Sequence, residues 1–343
     1  MKTKNVYIEI TNRCNFNCAT CYNRSGLNKE TREISPEQLE FIISLLSKYG
    51  ADRFLISGGE PSLHSRFDEI LDFPVRYPEM QFGFVTNGSS RNPKFVEILN
   101  NQKNTELQIS LDGADEEINS LTRGKGHFEM TVGFAKLITT PGKKPLLKMV
   151  LSQNNIDEVE KFYRLALSLG FMPEFAFIYS SGNGSDEWER KNLSPQQKLK
   201  ALKTINRLNK ETGNDAFLPL CTKSCPFVGS DDTNSICIKT DGSIQPCQAM
   251  YMPEYTLRNI FDFDEAEYEK NVARITGIAR ERSKKDYGCA KCIIKDICHH
   301  GCMAEAANLC KDPLGDDDGC MYRKLAFVFY EMEGQIENAR KSV

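Results

Sequence analysis

The sequence predicts an α/β protein: a partial (β/α)6 TIM-like barrel followed by a small Cys-rich α+β domain. Short apolar runs alternate with helical patterns six times over the first two hundred residues, an order typical of a parallel sheet with helical crossovers. Beyond about residue 213 the pattern changes to short strands, dense cysteines and frequent Gly/Asp turns. We therefore expect one domain over 1–212 and a second, with a C-terminal helix, over 213–343, which agrees with the two domains that a chain of 343 residues suggests.

The apolar runs define six strands. These are Val6–Ile10, Arg53–Ser57, Phe82–Thr86, Leu107–Leu111, Leu147–Leu151 and Phe175–Tyr179. Helices are predicted from Pro36 to about Gly50, over Phe67–Phe73, Phe95–Leu99, Phe128–Ile138 and Ile156–Gly170, from Pro195 to about Thr212, and over Asp262–Arg282 and Met321–Lys341. The clearest helix start is Ser35-Pro36-Glu37-Gln38, which has a Ser N-cap, Pro in the first turn and Gln three residues after the cap. Six units are fewer than the eight of a closed TIM barrel, which favours an open or partial barrel.

Four strands end in Gly-rich or polar turns. These turns are Ser57-Gly58-Gly59-Glu60, Thr86-Asn87-Gly88, Ser110-Leu111-Asp112-Gly113 and Ser180-Ser181-Gly182-Asn183-Gly184. Any single turn of this kind is common in loops and does not by itself indicate a functional site. In parallel α/β folds, however, the functional site lies at the carboxyl ends of the strands, so these turns would share one face.

Composition and charge exclude several classes of protein. The net charge is −3 and the one basic stretch is the short Arg280–Lys285, so nothing indicates nucleic-acid binding. No apolar run reaches the ~18 residues of a membrane span, and the N-terminus lacks the apolar segment of a signal peptide. We expect a cytoplasmic protein whose thiols stay reduced.

The 13 cysteines fall into two groups. Three lie in the pattern Cys14-x3-Cys18-x2-Cys21 directly after the first strand, residues 22–220 contain none, and ten fall between 221 and 320. An odd count excludes complete pairing into disulfides within one chain. Three close thiolates can bind one metal centre and leave one coordination position open, as a catalytic cluster requires. A zinc site completed from elsewhere or a redox thiol group are the alternatives.

Together with Gly58-Gly59-Glu60-Pro61 after the second strand, the Cys14-x3-Cys18-x2-Cys21 pattern resembles the radical S-adenosylmethionine (radical SAM) superfamily over roughly residues 4–190. The resemblance implies a 4Fe-4S cluster on the three cysteines, with S-adenosylmethionine on its open iron. Reductive cleavage would give methionine and a 5′-deoxyadenosyl radical, which abstracts a substrate hydrogen. The protein would orient the cofactor and exclude water.

The same resemblance implies a set of cofactor-binding residues. They are Gly58, Gly59, Glu60, Pro61, Asn87, Ser110, Asp112 and Arg123. The Gly58–Pro61 turn would receive the amino group of S-adenosylmethionine, and Ser110, Asp112 and Arg123 match family positions near its ribose and carboxylate. Asn87 would have a structural role or form a left-handed Asn-Gly turn. One departure is that the aromatic residue usual before the third cysteine is Thr20 here, with Tyr22 after the cysteine.

The second cysteine group resembles the SPASM extension of radical SAM enzymes over about 213–325. Its core is Cys289-x2-Cys292-x5-Cys298-x3-Cys302 followed by Cys320, and a hairpin-like segment leads from Gly242 to Cys247. The resemblance implies two auxiliary 4Fe-4S clusters, three clusters in all. Cys221, Cys225, Cys247 and Cys302 would hold the first auxiliary cluster, and Cys289, Cys292, Cys298 and Cys320 the second. Cys237 could replace Cys221 or Cys225, Cys310 is a buried or free thiol, and structural zinc is the alternative for the whole group.

SPASM enzymes mostly modify peptides or proteins, so the resemblance favours oxidative modification or crosslinking of a ribosomal peptide. The implied partners are a peptide substrate, an external one-electron reductant of the flavodoxin or ferredoxin type, and a leader-peptide-binding protein that is separate or absent, because the first strand begins by residue 6. The alternatives are a radical dehydrogenase of a small-molecule alcohol, a formylglycine-type sulfatase maturase, which Gln248 disfavours, and a zinc-binding scaffold. The sequence does not identify the catalytic base; Asp112, Glu60, Tyr179 and Asp241 are candidates.

Overall fold

The computed structural model describes residues 3–27, 30–139, 144–218, 234–284, 291–298 and 300–334. Within these ranges nine strands form one sheet: β1 (Thr3–Thr11), β2 (Arg53–Gly58), β3 (Gln81–Thr86), β4 (Thr105–Ser110), β5 (Leu146–Leu151), β6 (Met172–Phe177), β7 (Asn234–Ile238), β8 (Ser243–Gln245) and β9 (Arg258–Asn259).

The described ranges also contain thirteen α-helices. They are α1 (Pro36–Ser47), α2 (Phe67–Ile70), α3 (Phe73–Arg76), α4 (Pro93–Asn101), α5 (Glu116–Arg123), α6 (His127–Ala135), α7 (Val159–Ser168), α8 (Trp188–Lys191), α9 (Pro195–Thr212), α10 (Glu265–Lys284), α11 (Lys295–Cys298), α12 (Met303–Cys310) and α13 (Cys320–Met332). The predicted capping box of α1 is confirmed: the Gln38 amide donates to Ser35 Oγ at 3.2 Å, and the Ser35 amide donates to Gln38 Oε1 at 2.9 Å. None of these helices is both long and apolar enough to cross a membrane.

The sheet runs in the order β6-β5-β4-β3-β2-β1-β7-β8-β9. Strands β1 to β6 are parallel, each to the next, which confirms the six predicted strand–helix units and the predicted fold class. On the other side of β1 the sheet continues through the parallel strand β7 into the antiparallel β8 and β9. Strands from both predicted domains therefore share one sheet, and the proposed division at residue 212 stays a prediction.

The two faces of β1 have different environments, because successive side chains of a strand point to opposite faces. Val6, Ile8 and Ile10 are fully buried in the apolar core with residues of the helices, such as Leu39 of α1. The opposite face carries Tyr7 and Glu9, which bond to polar groups of β2 and of the β7–β8 turn. This polar face points into the concave interior of the sheet, and the functional turns lie at its carboxyl end.

Candidate active site

The loop after β1 carries Cys14, Cys18 and Cys21. The three thiols are close enough that each of the other two raises the pKa of Cys14, although burial is the larger cause and brings that pKa to about 12. Burial likewise raises the pKa of Cys18 to about 11, and the neighbouring Arg123 opposes this rise. Among the described residues no three His, Cys, Asp or Glu side chains already converge as a metal site. The fit to a metal centre therefore depends on the donor chemistry, which is three sulfur ligands in one anchored loop.

The turn after β2 lies directly against the backbone of this loop. Gly59 N donates to Thr11 O at 2.8 Å, and Glu60 N donates to Arg13 O at 2.7 Å. A Cβ atom on Gly59 would lie 2.5 Å from the carbonyl carbon of Arg13 and closer still to its oxygen. Gly58 has a φ of +134°, and a Cβ there would overlap with the Thr11 carbonyl. Only glycine fits at these two positions, because the two backbones touch.

Glu60 ties this turn to the end of β3. Its buried carboxylate accepts from Ser62 Oγ at 2.7 Å, Thr86 Oγ1 at 2.8 Å and the Asn87 amide at 2.7 Å. Burial raises its pKa, and these donors oppose the rise. Both oxygens are used within the protein, so the structure gives Glu60 a positioning role.

Asn87 continues the connection towards the cysteines. Its Nδ2 donates to Asn15 Oδ1 at 3.0 Å and lies 4.0 Å from Cys14 Sγ. Gly88, the next residue, has a φ of +75°, so the left-handed conformation in this turn belongs to the glycine. Asn87 therefore serves the turn and the loop together.

A buried ion pair follows β4. Asp112 is fully buried, and its carboxylate accepts from Arg123 Nε at 2.7 Å and from the Val150 amide at 2.8 Å. Arg123, at the end of α5, lies beside Cys18 and Cys21, whose charges together with that of Asp112 raise its pKa although burial lowers it. Asp112 thus fixes the guanidinium next to the cysteine loop. Ser110 is the last residue of β4 and pairs with Lys148 of β5.

The turn after β6 holds the other end of the cysteine loop. Asn183 Nδ2 donates to Asn17 Oδ1 and to Cys18 O, both at 2.9 Å, and the Asn183 amide donates to Cys21 O at 2.8 Å. A Cβ atom on Gly182 would overlap with the carbonyls of Cys21 and Tyr22. The turns after β2, β3, β4 and β6 therefore gather around the loop after β1, as the strand polarity predicts.

A polar cluster that the sequence analysis missed lies beside the third cysteine. Glu9, almost fully buried, accepts from Lys239 Nζ at 2.7 Å and from Asn23 Nδ2 at 2.9 Å, and Tyr22 Oη lies 3.4 Å from it. Tyr22 thus points into the concave interior of the sheet. The buried thiol of Cys237 lies 4.0 Å from Glu9. The signal in the sequence was the alternation Val-Tyr-Ile-Glu-Ile in β1, which gives the strand a polar face.

The other acid/base candidates are less well placed. Asp241 lies in the β7–β8 turn, where its carboxylate accepts from Ser243 N at 2.9 Å and from Ser243 Oγ at 2.6 Å. Tyr179 follows β6 and is 41% exposed. The structure gives Asp241 a role in its own turn.

Comparisons with known proteins agree with this geometry. Residues 8–166 match the model of the Radical SAM superfamily. The mycofactocin maturase MftC of Mycolicibacterium smegmatis is 28% identical over 308 residues, which are 86% of this chain and 77% of the relative. The antilisterial bacteriocin subtilosin biosynthesis protein AlbA of Bacillus subtilis is 27% identical over a match that spans 74% of this chain and 56% of AlbA. Residues 8–166 of this chain form a radical SAM domain.

Solved structures confirm the fold on both sides of residue 212. A structure described as native anSMEcpe with bound AdoMet has a TM-score of 0.78 at 20% identity and covers 98% of this chain and 99% of that chain. Streptococcus suis SuiB bound to S-adenosylmethionine has a TM-score of 0.74 at 17% identity, over 92% and 77% of the two chains. The prediction of a radical SAM domain is confirmed, and the C-terminal part has the fold of these solved structures. The family implies one 4Fe-4S cluster and S-adenosylmethionine.

The C-terminal cysteines of this radical SAM enzyme are partly described. Cys221, Cys225 and Cys289 lie outside the described residues. Cys247 and Cys302 pack against the apolar core, Cys298 ends α11, and Cys320 begins α13 with an exposed side chain. Cys310 is exposed, with its Sγ 3.4 Å from Asp316 O, so of the two predicted alternatives it is the free thiol and not a buried one.

Glu305 of α12 brings a titratable carboxyl from the Cys-rich part to the turn after β6. Burial raises its pKa to about 7, Asp317 raises it further, and Ser180 and Lys198 oppose the rise. A carboxyl whose pKa is raised in the folded state stabilises the fold below its unfolded pKa, and this stability is lost as the pH rises through the folded value. Glu305 therefore penalises the native state increasingly between about pH 4.5 and pH 7.

We expect Glu305→Gln to remove this penalty. The variant should gain up to about 3 kcal/mol over the wild type between pH 5 and pH 8, because 2 to 3 pKa units correspond to this energy. Thermal unfolding followed across that pH range measures the difference. Glu187→Gln, at an exposed glutamate of α8's N-cap, is the matched control and should track the wild type. Wild-type and Glu305→Gln midpoints that stay parallel over the whole range would contradict the expectation.

Proposed function

We propose that this radical SAM enzyme is a maturase that oxidatively modifies or crosslinks a ribosomally made peptide. The observation that carries the proposal is the similarity to MftC, which extends over 86% of the chain. Two further relatives support it by name: SkfB of Bacillus subtilis is a sporulation killing factor maturation protein, and AlbA is a bacteriocin biosynthesis protein. A SuiB structure at 17% identity, bound to its precursor peptide SuiA, supports the fold alone.

In this proposal Cys14, Cys18 and Cys21 hold the 4Fe-4S cluster that the family implies. The chemistry that such a cluster would supply, when bound, is the one-electron reduction of S-adenosylmethionine that gives methionine and a 5′-deoxyadenosyl radical. The protein holds the loop rigidly from both sides, at Gly59 and Asn183. Such anchoring suits a site in which a reactive radical must meet one substrate atom and exclude water.

The contacts refine the roles of the residues proposed to bind S-adenosylmethionine. The Gly58–Pro61 turn receives its amino group, because the turn borders the cysteine loop without side chains in between. Arg123 faces its carboxylate, since the guanidinium lies beside Cys18 and Cys21. Asp112 acts through Arg123, because its two oxygens already accept from Arg123 and Val150. Ser110 and Asn87 border the same space from β4 and from the turn after β3.

The proposed auxiliary ligands are Cys221, Cys225, Cys247 and Cys302 for one cluster and Cys289, Cys292, Cys298 and Cys320 for the other. Two further clusters would accept the electron that remains after hydrogen abstraction, which suits a net two-electron oxidation. The proposed partners are a precursor peptide, a flavodoxin- or ferredoxin-type reductant and a separate leader-binding protein.

The test is co-expression with the short peptide encoded next to this gene, followed by mass spectrometry of that peptide. We expect a mass loss in multiples of 2 Da or a crosslink that depends on this enzyme. The reduced protein should also release 5′-deoxyadenosine and contain about 12 iron and 12 sulfide per chain, as three cubane clusters require. The control is the triple variant Cys14→Ala, Cys18→Ala, Cys21→Ala, which should lose all 5′-deoxyadenosine and keep about 8 iron.

Other outcomes point to the alternatives. Stoichiometric zinc without 5′-deoxyadenosine would contradict the enzyme itself and favour the scaffold. Turnover of a free sugar or aminocyclitol alcohol with an unmodified peptide would favour the dehydrogenase. Formylglycine in a sulfatase co-expressed in place of the peptide would favour the sulfatase maturase.

A further inference from the structure

A buried ion pair connects the two proposed auxiliary clusters. Asp317 precedes α13 and Arg323 lies within it, and both side chains are 3% exposed. The pair is bidentate: Arg323 donates to the two carboxylate oxygens of Asp317 at 2.6 and 2.7 Å. Two hydrogen bonds inside the protein therefore hold the pair in one geometry.

Each partner of the pair contacts a different proposed ligand. Arg323 Nε donates to Cys298 Sγ at 3.1 Å, and Asp317 Oδ2 accepts from the backbone amide of Cys302 at 2.8 Å. Cys298 belongs to one proposed cluster and Cys302 to the other. The buried guanidinium thus donates directly to the sulfur of a proposed iron ligand.

The surrounding backbone is built around this pair. A Cβ atom on Gly301 would lie within 2.6 Å of both Asp317 and Arg323, and one on Gly319 would overlap with the guanidinium. Gly301 also has a φ of +77°, which favours glycine. Two glycines thus leave room for the charged groups within the cysteine-rich segment itself.

We propose that Arg323, positioned by Asp317, sets the two auxiliary clusters to different reduction potentials. A hydrogen bond from a cationic group to a ligand sulfur stabilises the reduced, more negative cluster. A carboxylate that accepts the hydrogen bond of a ligand's backbone amide has the opposite effect, because that amide can no longer donate to the cluster and the carboxylate adds negative charge nearby. The cluster on Cys298 therefore has the higher potential and the cluster on Cys302 the lower. This inference rests on the cluster assignment of the proposed function.

The test is a redox titration of the reconstituted holoenzyme followed by electron paramagnetic resonance. Arg323→Met should lower the reduced-to-oxidised ratio of one auxiliary cluster about tenfold at a fixed potential, which is 59 mV for a one-electron couple. Asp317→Asn should raise that ratio for the other auxiliary cluster. Lys324→Met is the matched control, because it removes the same charge from the next residue of α13 and should leave the ratios within about twofold.

Arg323→Lys covers the case in which Arg323→Met does not load iron. It keeps the charge beside Asp317 but lacks the planar fork that reaches the oxygens and the sulfur together, so it should lower the same ratio by a smaller factor. A holoenzyme with full iron in which neither Arg323 variant shifts a potential more than Lys324→Met does would overturn this inference alone. A wild type without iron beyond the first cluster would contradict the cluster assignment itself, and the inference with it.

Discussion

Gly59→Ala is expected to prevent assembly of the cysteine loop. The new methyl group would overlap with the backbone carbonyl of Arg13. A backbone carbonyl cannot move away by a change of rotamer, as a flexible side chain can. To accommodate it, the loop has to move away from the turn after β2, with loss of the hydrogen bond from Glu60 N to Arg13 O. Overpacking of this kind costs ~1–3 kcal/mol, and more where backbone must shift.

The variant should therefore lose about 4 of the ~12 iron expected from three clusters and nearly all 5′-deoxyadenosine formation, with a lower unfolding midpoint. Iron analysis, chromatography of the cleavage product and thermal unfolding measure the three effects. Gly133→Ala is the control: a Cβ atom there meets nothing within 4 Å, and alanine in the middle of α6 should stabilise by ~0.5–1 kcal/mol. Full iron in Gly59→Ala would show that the two backbones do not hold each other in place.

The part of the fold that the sequence predicts correctly is the part with local periodicity. Each of the six parallel strands is a short apolar run. The helix caps at Ser35 and Ser194 each depend on four consecutive residues, so they too are local in the sequence. The pairing of β7 with β1 has no such signal, because it joins residues more than two hundred positions apart. Helix α5 was missed for a different reason: its buried face is made by Asn119 and Thr122, so it lacks an apolar stripe.

The candidate site divides in the same way. The cysteine spacing and the glycine turn identify the loop, since the chemistry needs those residue types in that order. The side chains that hold the loop, such as Asn183 and Glu9, are not predictable from spacing, because their partners come from other strands. Sequence therefore finds the groups that do the chemistry more readily than those that position them.

Asp112→Asn is expected to remove the charged partner that holds the Arg123 guanidinium in place. The substitution preserves shape but leaves a guanidinium that is 10% exposed without its counter-charge. Removing one partner of a buried ion pair costs about 3–5 kcal/mol, largely through the unpaired charge. We expect a lower unfolding midpoint and a raised KM for S-adenosylmethionine, because Arg123 is no longer held beside Cys18. Glu187→Gln, which breaks an exposed pair with Arg190, should cost at most about 1 kcal/mol.

The double variant Asp112→Asn, Arg123→Met separates stability from binding. With both charges gone, no buried charge lacks its partner, so the unfolding midpoint should recover part of the loss measured for Asp112→Asn alone. The affinity for S-adenosylmethionine should not recover, because the group proposed to face its carboxylate is absent. Calorimetric binding to the iron-loaded protein, together with thermal unfolding, resolves the two. Recovery of affinity along with stability would leave Arg123 a purely structural residue, and the ligand's carboxylate would then need another cation at this edge of the sheet.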